Sequence, residues 1–263
     1  MNLHWRWAAL KNGFQEATAY RWEFLIEVLT EALVPVMTQI VLWYALFHMS
    51  GATQIGGLSY QDLITYSIFS LLFSQVRGGN LDFELAELIR TGSLSNYLLR
   101  PVGLIEFIWL RGSSSKFFLA GLGLAVGLVT CLFTGHSAGR MVGAMFLALL
   151  GNILHYQLSA GLAAVAFYWE ESHSVLMVKN LLVSLLSGEL IHLGIVPKEW
   201  KWVWESLPFH LFVFGPVQYA TGQWSHEVFM QKVLFAGAWI IAGALMVRAA
   251  WSAGIGRYQS LGG

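Results

Sequence analysis

The chain is poor in charged residues. Asp, Glu, Lys and Arg make up 11% of its 263 residues, and 56% of the residues are hydrophobic, whereas about a quarter of the residues in a soluble domain are charged. The fifteen acidic residues balance the fifteen basic residues, so no basic excess is present to bind nucleic acid. The uncharged stretches leave no polar block for a second core. We therefore expect one integral membrane domain over residues 1–263, with no nucleic-acid partner.

Motifs for bound cofactors are also scarce. The single cysteine, Cys131, cannot form an internal disulfide or a clustered thiolate metal site. The sequence has no G-x-x-x-x-G-K-[ST] loop that would hold nucleotide phosphates. Glu189 and His192 have the i, i+3 spacing of di-iron bundles, but no H-x-x-x-H spacing accompanies them. We expect no catalytic residue, no metal and no cofactor bound by this chain.

Long uncharged segments predict the membrane crossings. A bilayer core of about 30 Å takes roughly 20 apolar residues in a helix. By this measure we predict an all-α integral membrane protein with six transmembrane helices. The segments are 32–49, 60–76, 117–134 with its helix starting near Leu104, 141–169, 172–188 and 228–247.

The distribution of Lys and Arg predicts the orientation. An even number of crossings places both termini on one side, and basic residues concentrate in the cytoplasmic loops. With cytoplasmic termini, the inner side carries Arg6, Lys11, Arg21, Arg77, Arg90, Arg100, Arg248 and Arg257. The outer side carries Arg140, Lys198, Lys201 and Lys232. We therefore expect the N- and C-termini to be cytoplasmic.

Residues 3–20 are predicted to form a helix before the first crossing. Its apolar positions fall roughly on one face, which is typical of a helix lying in the inner headgroup plane. These positions are Leu3, Trp7, Leu10, Phe14 and Ala17. A simple extension of the first spanning helix is the alternative.

The loop 80–100 predicts a second helix outside the spans. Asn80 can cap a helix with acidic residues in its first turn, and Gly92 can end it. A plain connector would need only a few residues. The apolar side consists of Leu81, Leu85, Leu88 and Ile89, with Glu87 and Arg90 at the rim. We expect a partner groove or the N-terminal helix to cover this side, because an exposed apolar patch usually marks an interaction site.

Four segments carry a longer pattern. They are ELAELIRTGSLSNYLLRP at 84–101, FYWEES at 167–172, SGELIHLGIVPKEWKWVWESLPF at 187–209 and RYQSLGG at 257–263. In this order they resemble the permease subunits of type-2 ABC exporters, in the branch of six-helix proteins of about this length. The first segment is the most specific, because contact with lipid does not dictate its skeleton of acidic, apolar, glycine and arginine positions.

The resemblance implies a subunit of an ATP-driven exporter in the bacterial cytoplasmic (inner) membrane, and not an enzyme. Two permease chains, identical or related, would pair within the lipid. Two separate ABC ATPase subunits would bind ATP and Mg²⁺ and act on a coupling helix in the loop 80–100, so that an unknown substrate is exported. The expected ATPase-coupling residues are Leu81, Leu85, Glu87, Leu88, Ile89, Arg90 and Gly92.

The same resemblance implies that 189–224 is an outer region of short re-entrant helices that closes the exit. Proline breaks this stretch into pieces too short to span, and its tryptophans suit headgroup depth. An ordinary aromatic belt on an outer loop is the alternative interpretation. The candidate outer gate residues are Glu189, His192, Pro197, Trp200 and Pro208.

Charged residues also lie at the edges of the predicted spans. Glu23, Glu27 and Glu31 recur every fourth residue and form one acidic stripe, while Arg111 and Lys116 lie near the inner end of the third span. An ion-pair cluster between the two helices is one interpretation, because charges in membranes are usually paired. A polar lining for an inward-facing substrate vestibule is the other, and both can hold.

Two other classes of function compete with the exporter subunit. An intramembrane enzyme acting on lipid or peptide needs a convergent catalytic cluster, and the sequence has no H-E-x-x-H zinc motif. A stand-alone secondary carrier or channel should show repeated halves, and no repeat is evident between 24–134 and 141–250. We therefore favour the exporter subunit.

Overall fold

The computed structural model describes residues 4–19, 21–78, 81–99, 103–169 and 171–258. These residues are largely helical, with one isolated bridge between Ile55 and Leu58. Their α-helices are α1 (His4–Ala19), α2 (Arg21–Ser50), α3 (Tyr60–Arg77), α4 (Leu81–Arg90), α5 (Ser95–Leu98), α6 (Leu104–Thr134), α7 (Ala138–Ala163), α8 (Ser172–Leu186), α9 (Lys201–Ser206), α10 (Phe214–Ala220) and α11 (His226–Ile255). Short 3-10 helices lie at Ala164–Phe167, Leu193–Ile195, Lys198–Trp200 and Pro208–Leu211.

Each predicted spanning segment corresponds to a helix. By length and composition, α6, α11 and the run of α7 with its following 3-10 turn can each cross a membrane. The second half of α2 and the whole of α8 are shorter apolar helices. The all-α membrane fold is thus confirmed, while the number of six crossings stays a prediction.

The larger hydrophobic core lies where α3, α7, α10 and α11 meet. Phe69 and Phe73 of α3 are fully buried there in the same cluster as Leu147 of α7. The 3-10 helix before α10 approaches the α7 backbone closely, since a Cβ added to Gly151 would lie 2.9 Å from the carbonyl oxygen of Leu211. A small residue at this position therefore permits the close packing.

A smaller core surrounds α4 at the other end of α7. Most of its buried residues come from α4, α6, α7 and α11, and they include Leu85, Ile89, Leu104, Ile108, Ala160, Ala163 and Trp251. The indole Nε1 of Trp251 donates to the carbonyl oxygen of Ala160 at 2.7 Å, so the buried ring leaves no unpaired donor. This second core fixes α4 against the ends of three long helices.

Helix α1 packs along the first half of α6. The guanidinium of Arg6 lies 2.7 Å from the carboxylate of Glu106, and the Phe14 and Phe118 ring centroids are 6.1 Å apart. Between these contacts, a Cβ added to Gly13 would clash with the backbone of Arg111. The contacts follow the same direction along both helices. The predicted position in the headgroup plane stays a prediction.

Candidate functional site

Helix α4 forms where the sequence predicts it. Asp82 and Glu84 lie in its first turn and Arg90 in its last, where each charge matches the helix dipole. Gly92 has a φ of 75°, a left-handed conformation that favours glycine. The predicted cap, Asn80, lies outside the described residues.

The apolar side of α4 faces the protein interior. Leu85 and Ile89 are buried, and Leu81 and Leu88 pack against the same cluster. Residues of α6, α7 and α11 cover this side of α4. The expectation that a partner groove or the N-terminal helix covers it was therefore wrong. The physical reason is that α4 folds back against the ends of three long helices, a long-range contact that the local sequence pattern does not contain.

The opposite face of α4 is polar and open. Glu87 and Arg90 form an ion pair at 2.7 Å, and their side chains are 53% and 59% exposed. Beside them a cavity of about 500 Å³ separates α4 from the start of α8, with Phe83, Ala86, Glu171 and His173 among its lining residues. The rings of Phe83 and His173 are in contact across this cavity, with centroids 4.8 Å apart.

Asp82 forms a buried ion pair between α4 and α8. Its Oδ2 lies 2.7 Å from Nζ of Lys179, and the two side chains are 0% and 4% exposed. The same ammonium group donates to Oγ of Ser159 on α7 at 3.2 Å. Asn152, His155 and Ser159 are all buried, and their i, i+3 and i+7 spacing places them on one face of α7.

Arg77 forms a second ion pair at the end of α3. Its Nη1 donates to Oε2 of Glu189 at 2.6 Å, and both side chains are about 15% exposed. The amide of Asn152 donates to the carbonyl oxygens of Val76 and Arg77 at 2.9 and 3.0 Å, which places the end of α3 beside the middle of α7. Arg77, predicted on the inner side, is therefore half-buried against Glu189, which was predicted in the outer region. The side of the membrane that Arg77 faces stays a prediction.

The chain turns at 187–190 between two long helices. The hydroxyl of Tyr66, in the middle of α3, donates to the carbonyl oxygen of Gly188. The side-chain amide of Gln39, on α2, donates to the carbonyl oxygen of Glu189. Gly188 has a φ of 85°, and a Cβ there would lie 2.7 Å from the Tyr66 hydroxyl. The first part of the turn thus packs inside the bundle against α2 and α3, while Leu190 at its end is exposed.

The candidate outer gate residues divide into two groups. Glu189 and His192 are held inside. Glu189 pairs with Arg77, and His192 is buried and packs against Tyr66 with ring centroids 4.3 Å apart and planes inclined at 59°. Its Nδ1 accepts the backbone N–H of Gly194 at 3.0 Å. Burial lowers the pKa of His192 to about 4, so the ring is neutral at neutral pH. Pro197 and Trp200 are exposed, and Pro208 is half-buried at the start of a 3-10 helix.

The structure gives one of the vestibule candidates a different partner. Arg111 pairs with Glu84 of α4, and Lys116 is half-buried on α6. The side chains of Glu23, Glu27 and Glu31 lie outside the part of the structure that is described, so their pairing with Arg111 and Lys116 stays a prediction.

The fold and the contacts around α4 can be set beside known proteins. A family model described as "ABC-2 family transporter protein" matches residues 33–262. The chain belongs to the ABC-2 transporter family. No curated protein and no solved structure matches the chain. Family membership makes this protein a multi-pass membrane permease of an ABC transporter, which associates with an ATPase subunit.

Three of the four family-like segments of this ABC-2 permease meet beside α4. The hydroxyl of Tyr258 donates to the carbonyl oxygen of Gly92 and accepts the N–H of Ser95 at 3.2 Å. The ring of Phe167 packs edge-on against Trp251 and Tyr258, with centroids 5.3 and 6.2 Å away. The C-terminal segment therefore holds the end of α4, although residues 259–263 lie outside the described structure.

The charged contacts that anchor α4 in this ABC-2 permease were not predicted from the sequence. Lys179 gave the clearest signal, because a lone cation inside an apolar run needs a partner. Its partner, Asp82, was interpreted only as a charge at a helix start. Arg77 and Glu189 were placed on opposite sides of the membrane, so their ion pair was not considered.

Proposed function

We propose that this permease is the membrane-spanning subunit of an ATP-driven exporter, in which two permease chains pair above two separate ATPase subunits. The observation that carries the proposal is the geometry of α4. One face of this helix is fixed by a hydrophobic core and a buried ion pair, and the other presents Glu87 and Arg90 beside an open cavity. A helix anchored in this way transmits force from a bound partner, because it moves only with its neighbours.

The proposed ATPase contact uses the polar face of α4. Charges at the rim of an interface set register and partner choice more than affinity, and Glu87 and Arg90 lie at such a rim. The start of α8 forms the opposite wall of the cavity, through Glu171 and His173. Leu85 and Ile89, which pack inside the chain, contribute to coupling by holding α4 in position.

Copurification tests this contact. We expect Glu87→Lys combined with Arg90→Glu to reduce the amount of ATPase that copurifies with the permease, and to reduce ATP hydrolysis in the membranes by the same factor. Arg248→Glu is the matched control, since Arg248 is exposed on α11 and does not line the cavity. Unchanged copurification in the double variant would contradict docking of the ATPase at α4. Hydrolysis of ATP by the purified permease alone would contradict the assignment of this activity to separate subunits.

The orientation has its own test. Cysteine reporters at Thr53, Ser137 and Ser225, all exposed, should react with an impermeant reagent added outside intact cells. A reporter at Ser93, beside the end of α4, should not react. External labelling at Ser93 would invert the orientation and remove the site from the side where ATP is present.

Membership of an ABC transporter family disfavours the stand-alone carrier. The enzyme alternative gains little from the G-x-S-x-G letters at 135–139. That motif acts on a sharp turn from a strand into a helix, whereas Ser137 precedes α7 in a loop that follows α6.

A further inference from the structure

Two ion pairs connect the same two stretches of the chain. Arg77 ends α3 and Asp82 lies in the first turn of α4, so both belong to the junction between these helices. Their partners, Glu189 and Lys179, belong to α8 and the turn that follows it. Each end of the junction is therefore bound to the α8 segment by one ion pair.

Both ion pairs are shielded from water. The side chains of Asp82 and Lys179 are 0% and 4% exposed, and those of Arg77 and Glu189 are 15% and 16% exposed. Separating a buried pair leaves two charges without compensation in a medium of low polarity. The two stretches are thus expected to move together when α4 is displaced.

Helix α8 continues the connection to the turn at 187–190. The backbone N–H of Leu190 donates to the carbonyl oxygen of Ser184 at 3.2 Å, and that of Phe214 donates to the carbonyl oxygen of Ser187 at 2.9 Å. The turn is therefore fixed both to the end of α8 and to the start of α10. A displacement of α8 reaches the outer segments without passing through a flexible linker.

We propose that the pairs Asp82–Lys179 and Arg77–Glu189 transmit a displacement of α4 to the turn at 187–190 and to the segments 191–224 beyond it. The inference rests on the proposed function, because it takes the ATPase to be the source of the displacement. These four residues are positioning residues that act through α8, and they touch no substrate in this scheme.

A nitroxide spin label at Leu190 measures the transmission. Leu190 is 40% exposed and belongs to neither ion pair, and the one native thiol is removed with Cys131→Ser. The spectrum of the copurified complex is recorded without nucleotide and after trapping with ATP and orthovanadate. With both ion pairs intact, we expect trapping to change the mobility of the label.

Variants of the ion pairs distinguish a role in transmitting the displacement from a purely structural role. Lys179→Met and Arg77→Gln should each reduce the nucleotide-dependent change at Leu190 at least several-fold. The exchange of Arg77→Glu with Glu189→Arg should restore it. Lys201→Met is the matched control, since it removes the exposed Lys201–Glu205 pair within the same outer region and should leave the response intact.

A double variant keeps the inference testable if the single variants fail to fold. Asp82→Asn combined with Lys179→Met removes both charges and leaves no uncompensated charge in the core. The response should be lost in this variant as well. A full nucleotide-dependent change at Leu190 in a folded single or double variant overturns the inference. An exchange variant that folds but shows no such change overturns it as well.

The measurement also separates this inference from the proposed function. Hydrolysis of ATP by the unmodified complex with no response at Leu190 overturns the inference alone. If no ATPase copurifies with the unmodified permease, the proposed function is wrong, and so is the inference that rests on it.

Discussion

The two faces of α4 carry charges in opposite environments. Asp82 is fully buried and paired with Lys179, whereas Glu87 and Arg90 form a pair that is more than half exposed. Charges removed from water carry a large desolvation cost that only close pairing offsets, while an exposed pair contributes about 0–1 kcal/mol. The buried pair therefore determines where α4 lies, and the exposed pair remains available to a partner.

The comparison is tested most strongly at Lys179. Lys179→Met should destabilise the permease by about 3–5 kcal/mol, because the carboxylate of Asp82 loses its compensating charge. Adding Asp82→Asn should recover much of this loss. Thermal unfolding in detergent, followed with a thiol-reactive dye at the buried Cys131, measures both changes. Equal stability of Lys179→Met and the unmodified chain would mean that the buried pair does not hold α4.

The next largest effect is expected at the end of α4. Gly92 has a left-handed backbone, so Gly92→Val should cost about 1–2 kcal/mol or more, and it should weaken ATPase copurification by shifting the polar face. Gly121→Val is the control, since a Cβ there meets no atom within 4 Å. If both variants behave alike in the same two assays, the conformation of Gly92 is not important for the site.

A smaller effect is expected at Tyr258. Tyr258→Phe removes the hydroxyl that contacts Gly92 and Ser95 and should cost about 1 kcal/mol of stability. Tyr44→Phe, at an exposed ring on α2, serves as the control. Amide hydrogen exchange should quicken at 92–99 in the Tyr258 variant, and unchanged exchange there would show that the C-terminal segment does not support α4.

The smallest effect on stability is expected on the exposed face. Glu87→Gln and Arg90→Gln should each change the free energy of unfolding by less than about 1 kcal/mol. Each should nevertheless weaken ATPase binding, and the loss should shrink as the salt concentration rises. A large loss of stability in either variant would remove the distinction between the two faces of α4.

The helices and their ends were largely predictable from the sequence. Apolar length predicted the long helices, and the charges of α4 together with Gly92 predicted its bounds, because these signals act within a few residues. The family-like segments 84–101 and 187–209 were also visible as sequence pattern. Their contacts were not, since Arg77 and Glu189 are far apart in the chain and were assigned to opposite sides of the membrane.

The sequence by itself determined that this protein is a helical membrane protein, that a short helix follows the second predicted span, and which family pattern it carries. Only the tertiary structure decided that the apolar side of α4 turns inward, that Lys179 pairs with Asp82, and that the turn at 187–190 reaches the end of α3. The physical reason is the separation along the chain over which each interaction acts. Hydrophobic length and helix capping are local properties of a chain, whereas the partner of a buried charge depends on which distant helices pack against it.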